Sequence, residues 1–300
     1  PLTGTGLAST PVPAPATATW TMNGGATVQS DGALVVNGLA QSAAATAWYK
    51  TAVNATTLEA HFTAYLDGWL NNNGYADGLT FAVTDATQNS ATSIGYQGGG
   101  LGYGNLSGGF AVALFTYNNG PVSQAAVLLP GTDAIKNFAT PPTNIPTDIH
   151  SFTTDARPVP VDIWIDPNPA GGSLLTVLVD SVPVATDLPV TLPSSALVGF
   201  TAGTGFYGER HAIRNTQILV NGPGGASGPG VSLSGPTFPA STTTGATSTA
   251  NLTVTATSAV TVQSVVSSNP ALFTVGTATP SLPASLATAA TVTVPITFKP

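Results

Sequence analysis

Cysteine is absent from this 300-residue chain. That excludes disulfides, thiolate metal sites and cysteine nucleophiles. Charge is scarce as well, with 6 Lys or Arg against 13 Asp or Glu and a net charge of −7. Such a chain offers no basic face, so neither nucleic acid nor an anionic lipid surface is an expected partner. No apolar run approaches the roughly 18 residues needed to span a bilayer, so membrane insertion is not expected. No Lys/Arg-flanked leader opens the chain, which reads as a mature or trimmed fragment. Glutamate occurs twice, at Glu59 and Glu209, and the three histidines (His61, His150, His211) show no HxH or HxxxH spacing. Little remains for acid–base or metal chemistry, and no cofactor is expected.

What is plentiful is turn material and period-two alternation. Gly (33) and Pro (25) punctuate the chain, favouring many turns and few helices. In Val292–Phe298 the residues Val292, Val294, Ile296 and Phe298 share one face; Leu252–Ala256 and Asp162–Ile165 alternate similarly, and Leu174–Asp180 reads as a more buried strand. Asn23-Gly24, Asp31-Gly32, Asn37-Gly38 and Asp67-Gly68 mark turns between such runs. The expected fold class is all-β, with strands so numerous that they must pack as two sheets.

Two joints divide the sequence: PVPAPA from Pro11, a stiff extended spacer, and NGPGGASGPG from Asn221, a low-complexity linker. The expected organisation is therefore 1–10 as a leading segment, 11–15 as spacer, 16–221 as the main domain, 222–230 as linker, and 231–300 as a second module.

The main block carries YADGLTFAVTD (from Tyr75), SIGYQGGGLGYG (from Ser93) and GGFAVALFTYNN (ending at Asn119). In that order it also has WTMNGGATV, SDGALVV, AWYKTAV and ALVGFTAGTG. With these motifs it resembles the legume-type (L-type) lectins over about residues 16–221. The resemblance implies a concanavalin-like jelly-roll sandwich that binds a glycan without catalysis. It assigns Asp77 as the carboxylate accepting sugar hydroxyls, Gly99 or Gly100 as the close-approach backbone donor, Asn119 as the amide, and Tyr117 as the stacking ring. Phe206 and Tyr207, in the variable loop at 204–209, are further stacking candidates. The family's metal ligands are missing: Ala113 and Phe115 stand where it has Glu and Asp, and Asn118–Gly131 contains neither Asp nor His. Calcium needs about six to eight oxygens, so no metal is expected there. In the family those metals hold the loop that aims the Asp carboxylate, a support this chain lacks.

Residues 231–300 resemble the ASH (Hydin-type) immunoglobulin-like modules of large bacterial surface proteins. That implies a second, smaller immunoglobulin-like sandwich and an extracellular or cell-surface setting. The absence of cysteine also leans toward a bacterial exported protein. Such modules close with a strand like Leu2-Thr3-Gly4-Thr5-Gly6, whereas 231–300 stops at Phe298-Lys299-Pro300. This raises an alternative function: head-to-tail assembly with copies of itself, the Leu2–Gly6 strand completing a neighbour's open module. An enzyme is not expected. Asp162 and Asp166 flank Trp164 on one strand face, the nearest approach to a glycosidase carboxylate pair, but Asp166-Pro167-Asn168-Pro169 reads as a turn, and no nucleophile elbow is visible.

Overall fold

The computed structural model describes residues 10–70, 74–117, 123–130, 137–168, 171–223, 231–236, 238, 245–256, 260–262, 265, 267 and 272–299. The chain forms two compact units, a large one of Ala8–Ser227 and a smaller one containing Gly228–Pro300. Both are built from strands, and the single helical turn described is Gly98–Gly100.

The large unit is a sandwich of two layers, antiparallel except where His150–Ser151 runs parallel to Leu66–Asp67. In the front layer Ala196–Thr204 pairs with Gly78–Asp85 on one side and Ala43–Tyr49 on the other. Phe110–Phe115 and Gln124–Leu128 extend it beyond Gly78–Asp85, and Trp20–Asn23 extends it beyond Ala43–Tyr49. The back layer is centred on Val53–Asp67, flanked by Val159–Pro167 and Arg210–Pro223. Ser173–Val179 and Val182–Val190 continue it outward as a meander. Alternation decides which side chains face inward. Leu79, Phe81 and Val83 from one strand meet Phe110, Val112 and Leu114 from the next, and both face Leu58, Ala60, Phe62, Ile163 and Val177 across the sandwich. Phe200 lies at the centre, 5.0 Å from Phe62 in an edge-on contact and 5.6 Å from Phe81. Each such ring, fully withdrawn from water, contributes roughly 1.5–3 kcal/mol.

The other face of the front layer is covered too. Trp48, Ala82, Ala111, Ala113, Phe115 and Leu197 pack beneath Leu101, Tyr103 and Leu106 of the 86–109 loop, forming a second apolar cluster. Glycines let this loop lie directly on the strand below. A Cβ at Gly203 would stand 2.7 Å from the Gly98 carbonyl oxygen and 2.9 Å from Leu101 Cα.

Two segments depart from the linker expectation. Thr10–Val12, across the boundary of the expected spacer, is an edge strand paired with Ile218–Val220 of the large unit. At the other end the strand from Arg210 runs through Pro223, slightly past the expected domain limit at 221. Proline is tolerated on such edges because they have one unpaired side.

In the small unit Ser248–Ala256 pairs with Val231–Ser234 and with Thr291–Phe298, and Phe273–Val275 adds beyond the latter. Val260–Val262 and Ala284–Leu286 form a separate two-stranded sheet. Val292, Val294 and Ile296 are buried in its core with Val254, Ala256 and Leu286, as their alternation predicts. The candidate assembly residues Leu2, Thr3, Gly4, Thr5 and Gly6 lie outside the described residues.

Candidate functional site

The site lies where strands of the front layer end. Asp77 immediately precedes the strand Gly78–Asp85, and the Ala76–Asp77 peptide is cis. The Asp77 N–H donates to the Gly203 carbonyl (3.0 Å), and its own carbonyl accepts from Thr116 N–H (3.1 Å) and more distantly from Tyr117 N–H (3.4 Å). The turn is thus bonded to both neighbouring strands. Gly78 follows with φ +150°, and a Cβ there would fall 2.1 Å from the Leu114 carbonyl oxygen. A glycine is required at that position.

The glycine motif forms a wall beside Asp77. Gly98 has φ +61°, and Cβ atoms on the neighbouring Gly98 and Gly205 would stand 3.9 and 3.1 Å from Asp77 Oδ2. A buried hydroxyl chain fixes this wall. Thr201 Oγ1 donates to the Leu101 carbonyl (2.6 Å) and is 2.7 Å from Thr80 Oγ1. Gly100 N–H donates to the Gln97 carbonyl (3.1 Å), which leaves Gly99 as the candidate backbone donor of the pair.

Aromatic rings make the rim. Tyr117 is exposed and lies 6.0 Å from Tyr207, which lies 5.2 Å from the exposed Phe206. Tyr207 lies against the bare backbone of Gly74, where a Cβ would fall inside its ring. The structure therefore brings Asp77, Gly99, Gly100, Tyr117, Phe206 and Tyr207 to one end of the sandwich. Asn119 lies outside the described residues.

Asp77 is 9 % exposed, and its Oδ2 is buried without a hydrogen-bond partner. Burial raises its pKa to about 6; the nearby His211 and a backbone hydrogen bond from Gly205 oppose that rise, and the Glu209 charge adds to it. A buried carboxylate oxygen without a partner is a costly arrangement, which a donor brought to this site would relieve.

Ala113 and Phe115 occupy the positions of the expected metal ligands. Both are buried in the second apolar cluster with Ala126 and Leu128, and the Phe115 ring meets Phe138 edge-on at 6.2 Å. These residues do not fit a metal ion: their side chains supply no donor atoms, and they fill the space with hydrocarbon.

Sequence reasoning missed a cluster directly behind this turn. Glu209 is fully buried and accepts from three donors: Thr116 Oγ1, His150 Nδ1 (2.6 Å) and His211 Nε2 (3.0 Å). These bonds hold its carboxyl below the usual range against the opposing effect of burial. The Tyr75 ring stacks on His150 at 3.6 Å and 3°. His150 and His211, which share no HxH or HxxxH spacing, are partners of one carboxylate, and the only local signal is Glu209-x-His211 at strand spacing. Among the described residues no group of three or more His, Cys, Asp or Glu side chains is arranged to hold a metal.

On the outer face of the back layer His61 bridges Asp162 (2.7 Å) and Glu59 (2.9 Å), with Trp164 edge-on at 5.5 Å. Its ring N–H groups donate to Asp162 and then to Glu59, and these bonds lift the His61 pKa to about 9. Asp162 is thus engaged by His61, its register partner across the strand pair.

No family model matches the chain. Among solved structures it is similar to the Lotus tetragonolobus seed lectin, at 20 % identity and TM-score 0.52, over 67 % of this chain and 94 % of the lectin. The exoplasmic/lumenal domain of VIP36, in its calcium- and mannose-bound form, is similar at 18 % identity and TM-score 0.52, over 73 % of this chain and 86 % of that domain. The carbohydrate recognition domain of Emp47p follows at 17 % identity and TM-score 0.50, over 67 % and 88 % of the two chains. The large unit has the fold of the legume-type lectin domains, a jelly-roll sandwich.

Proposed function

We propose that the large unit is a carbohydrate-binding module that holds a glycan at the Asp77 end of the sandwich, without catalysis and without a metal ion. The observation that carries this reading is Asp77 itself. Its Oδ2 is buried without a hydrogen-bond partner beside Gly98 and Gly205, and the exposed rings of Tyr117 and Phe206 flank Tyr207 at the same end. A carboxylate takes two sugar hydroxyls, a glycine N–H contributes a donor, and a ring covers the apolar C–H face of a pyranose. Such a site has weak monovalent affinity, which repetition along a modular extracellular protein raises. The fold shared with lectins, one of which was solved with mannose bound, supports the same class of ligand. The extracellular and bacterial setting belongs to this proposal and follows from composition and from the resemblance of the second module.

The test is a glycan array of mannose-, galactose- and N-acetylgalactosamine-terminated oligosaccharides, probed with the full chain in EDTA and again in calcium. Binding that is equal in both and is lost in Asp77→Asn is the expected result. Silence of the wild-type chain under both conditions would overturn the reading.

A further inference from the structure

We infer that Glu209 is the positioning residue of the Asp77 turn: a buried carboxylate gripped by two imidazoles and a hydroxyl supplies the support that metal ions give in the lectins this chain resembles. The inference rests on the glycan-binding reading above and names the residues that make its site work.

Two routes lead from Glu209 to the turn. Through Thr116, the side-chain hydroxyl donates to Glu209 while the backbone N–H of the same residue donates to the Asp77 carbonyl (3.1 Å). Through His150, whose Nδ1–H donates to Glu209, the stacked ring of Tyr75 is held 3.6 Å away. Tyr75 and Asp77 flank Ala76, so both sides of that short segment are tied to one carboxylate. Tyr75 has a second tether, its hydroxyl donating to Asp148 Oδ2 (3.2 Å), and Asp148 Oδ1 accepts from Ser123 Oγ (2.8 Å) and from the His150 N–H (3.0 Å).

The cluster is itself fixed to rigid structure. His150 and His211 are both in register with Leu66, on opposite edges of the long strand Val53–Asp67. Glu209 also lies four residues after Gly205, whose backbone touches the Asp77 carboxylate. With His150 donating through Nδ1 and His211 through Nε2, a fully buried carboxylate has all the partners it needs. An unpaired one would be strongly unfavourable at that depth. Ala113 and Phe115 pack in an apolar cluster that offers a metal ion no side-chain ligand, whereas the Glu209 cluster is joined to the turn through Thr116.

The experiment uses the full chain and the variants Glu209→Gln, Thr116→Val and Thr116→Ser. One arm needs no ligand: amide hydrogen exchange at Asp77 and Gly78, in EDTA. We expect exchange at least tenfold faster in Glu209→Gln and Thr116→Val, and wild-type protection in Thr116→Ser, which restores the hydroxyl. The second arm is the glycan array described above, where the first two variants should lose at least tenfold in affinity and Thr116→Ser should recover it. Wild-type exchange at Asp77 in Glu209→Gln and Thr116→Val would overturn the inference, as would protection in the wild type that EDTA abolishes. If Glu209→Gln fails to fold, Thr116→Val and its serine rescue decide alone. If the wild type binds no glycan, the functional reading fails while the exchange arm still decides the role of Glu209.

Discussion

Asp77 concentrates two opposing demands on one side chain. Burial favours its protonated form, whereas accepting sugar hydroxyls requires the carboxylate. With its pKa raised to about 6, the ionised fraction falls about tenfold between pH 7.5 and pH 5. Glycan affinity, measured by titration calorimetry against the best array hit, should fall by the same factor over that range. A flat profile would mean that the ligand does not use the carboxylate. The same shift has a stability consequence of known sign. A carboxyl whose folded pKa lies above its unfolded value of 3.8 favours the fold below that value, and the advantage is lost as pH rises through about 6. Asp77→Asn removes the buried charge and keeps the shape. Its melting temperature at pH 7.5 should equal or exceed that of the wild type, even as binding is abolished. Loss of both together would instead make Asp77 a structural residue.

At the scale of elements, the front layer is a platform whose loops sit on it only where side chains are absent. Gly203→Ala places a methyl group against the backbone of Gly98 and Leu101, neither of which can swing away as a side-chain tip would. We expect a loss of about 1–3 kcal/mol in chemical denaturation, with affinity falling further as the glycine wall is displaced from Asp77. The strand Phe110–Phe115 invites the opposite manipulation. Restoring acidic residues through Ala113→Glu and Phe115→Asp buries two carboxylates among Ala126, Leu128 and Phe138. Thermal melts should show a loss of several kcal/mol that calcium does not reverse, because the loop after Tyr117 offers no Asp or His to complete a coordination shell. A calcium-dependent recovery would count against the packing argument. These elements were largely legible in the sequence because alternation and glycine motifs are local. Val292, Val294 and Ile296 announce their buried face at a spacing of two, and Asp77, the glycine loop and Tyr117 fall within about forty residues of one another. The Glu209 cluster was not legible for the complementary reason. Glu209 meets Thr116 across 93 residues and His150 across 59, and no spacing rule reports a pairing made only when two layers close. Pro11 and Val12 depart from the spacer expectation for a related reason: proline suggests a spacer, yet an edge strand needs hydrogen bonds on one side only.

Taken as a whole, the molecule carries so few charges that its response to pH can be followed group by group. In the large unit Arg210 bonds Asp67 and Asp155, and Arg214 bonds Asp155 and Asp31, a chain of alternating sign at the edge of the back layer. Arg157 pairs with Asp180 (2.5 Å). Asp31, Asp85, Asp155 and Glu209 all have lowered pKa values, caused by hydrogen bonds from Arg214, from Thr87, from Arg210 and Arg214, and from His150 and His211 respectively. Groups of this kind stabilise the fold above their unfolded pKa values near 4 and withdraw that support as pH falls below them. His61 acts in the other direction. Raised to about 9 by Asp162 and Glu59, it contributes fully below its unfolded value of 6.5 and loses that contribution as pH rises through 9. Asp77 adds a smaller slope that favours the acidic side of 6. Together these terms place maximum stability between about pH 4.5 and 6.5, with Glu209 steepening the acid limb because it is the fully buried member of its group. Calorimetric melts from pH 3 to 10 would test this, comparing the wild type with His61→Gln and Glu209→Gln. His61→Gln should flatten the alkaline limb between 7 and 9 and leave the acid limb unchanged, while Glu209→Gln should soften the acid limb alone. A maximum above pH 8, or an alkaline limb indifferent to His61, would show that groups other than these govern the fold's charge balance.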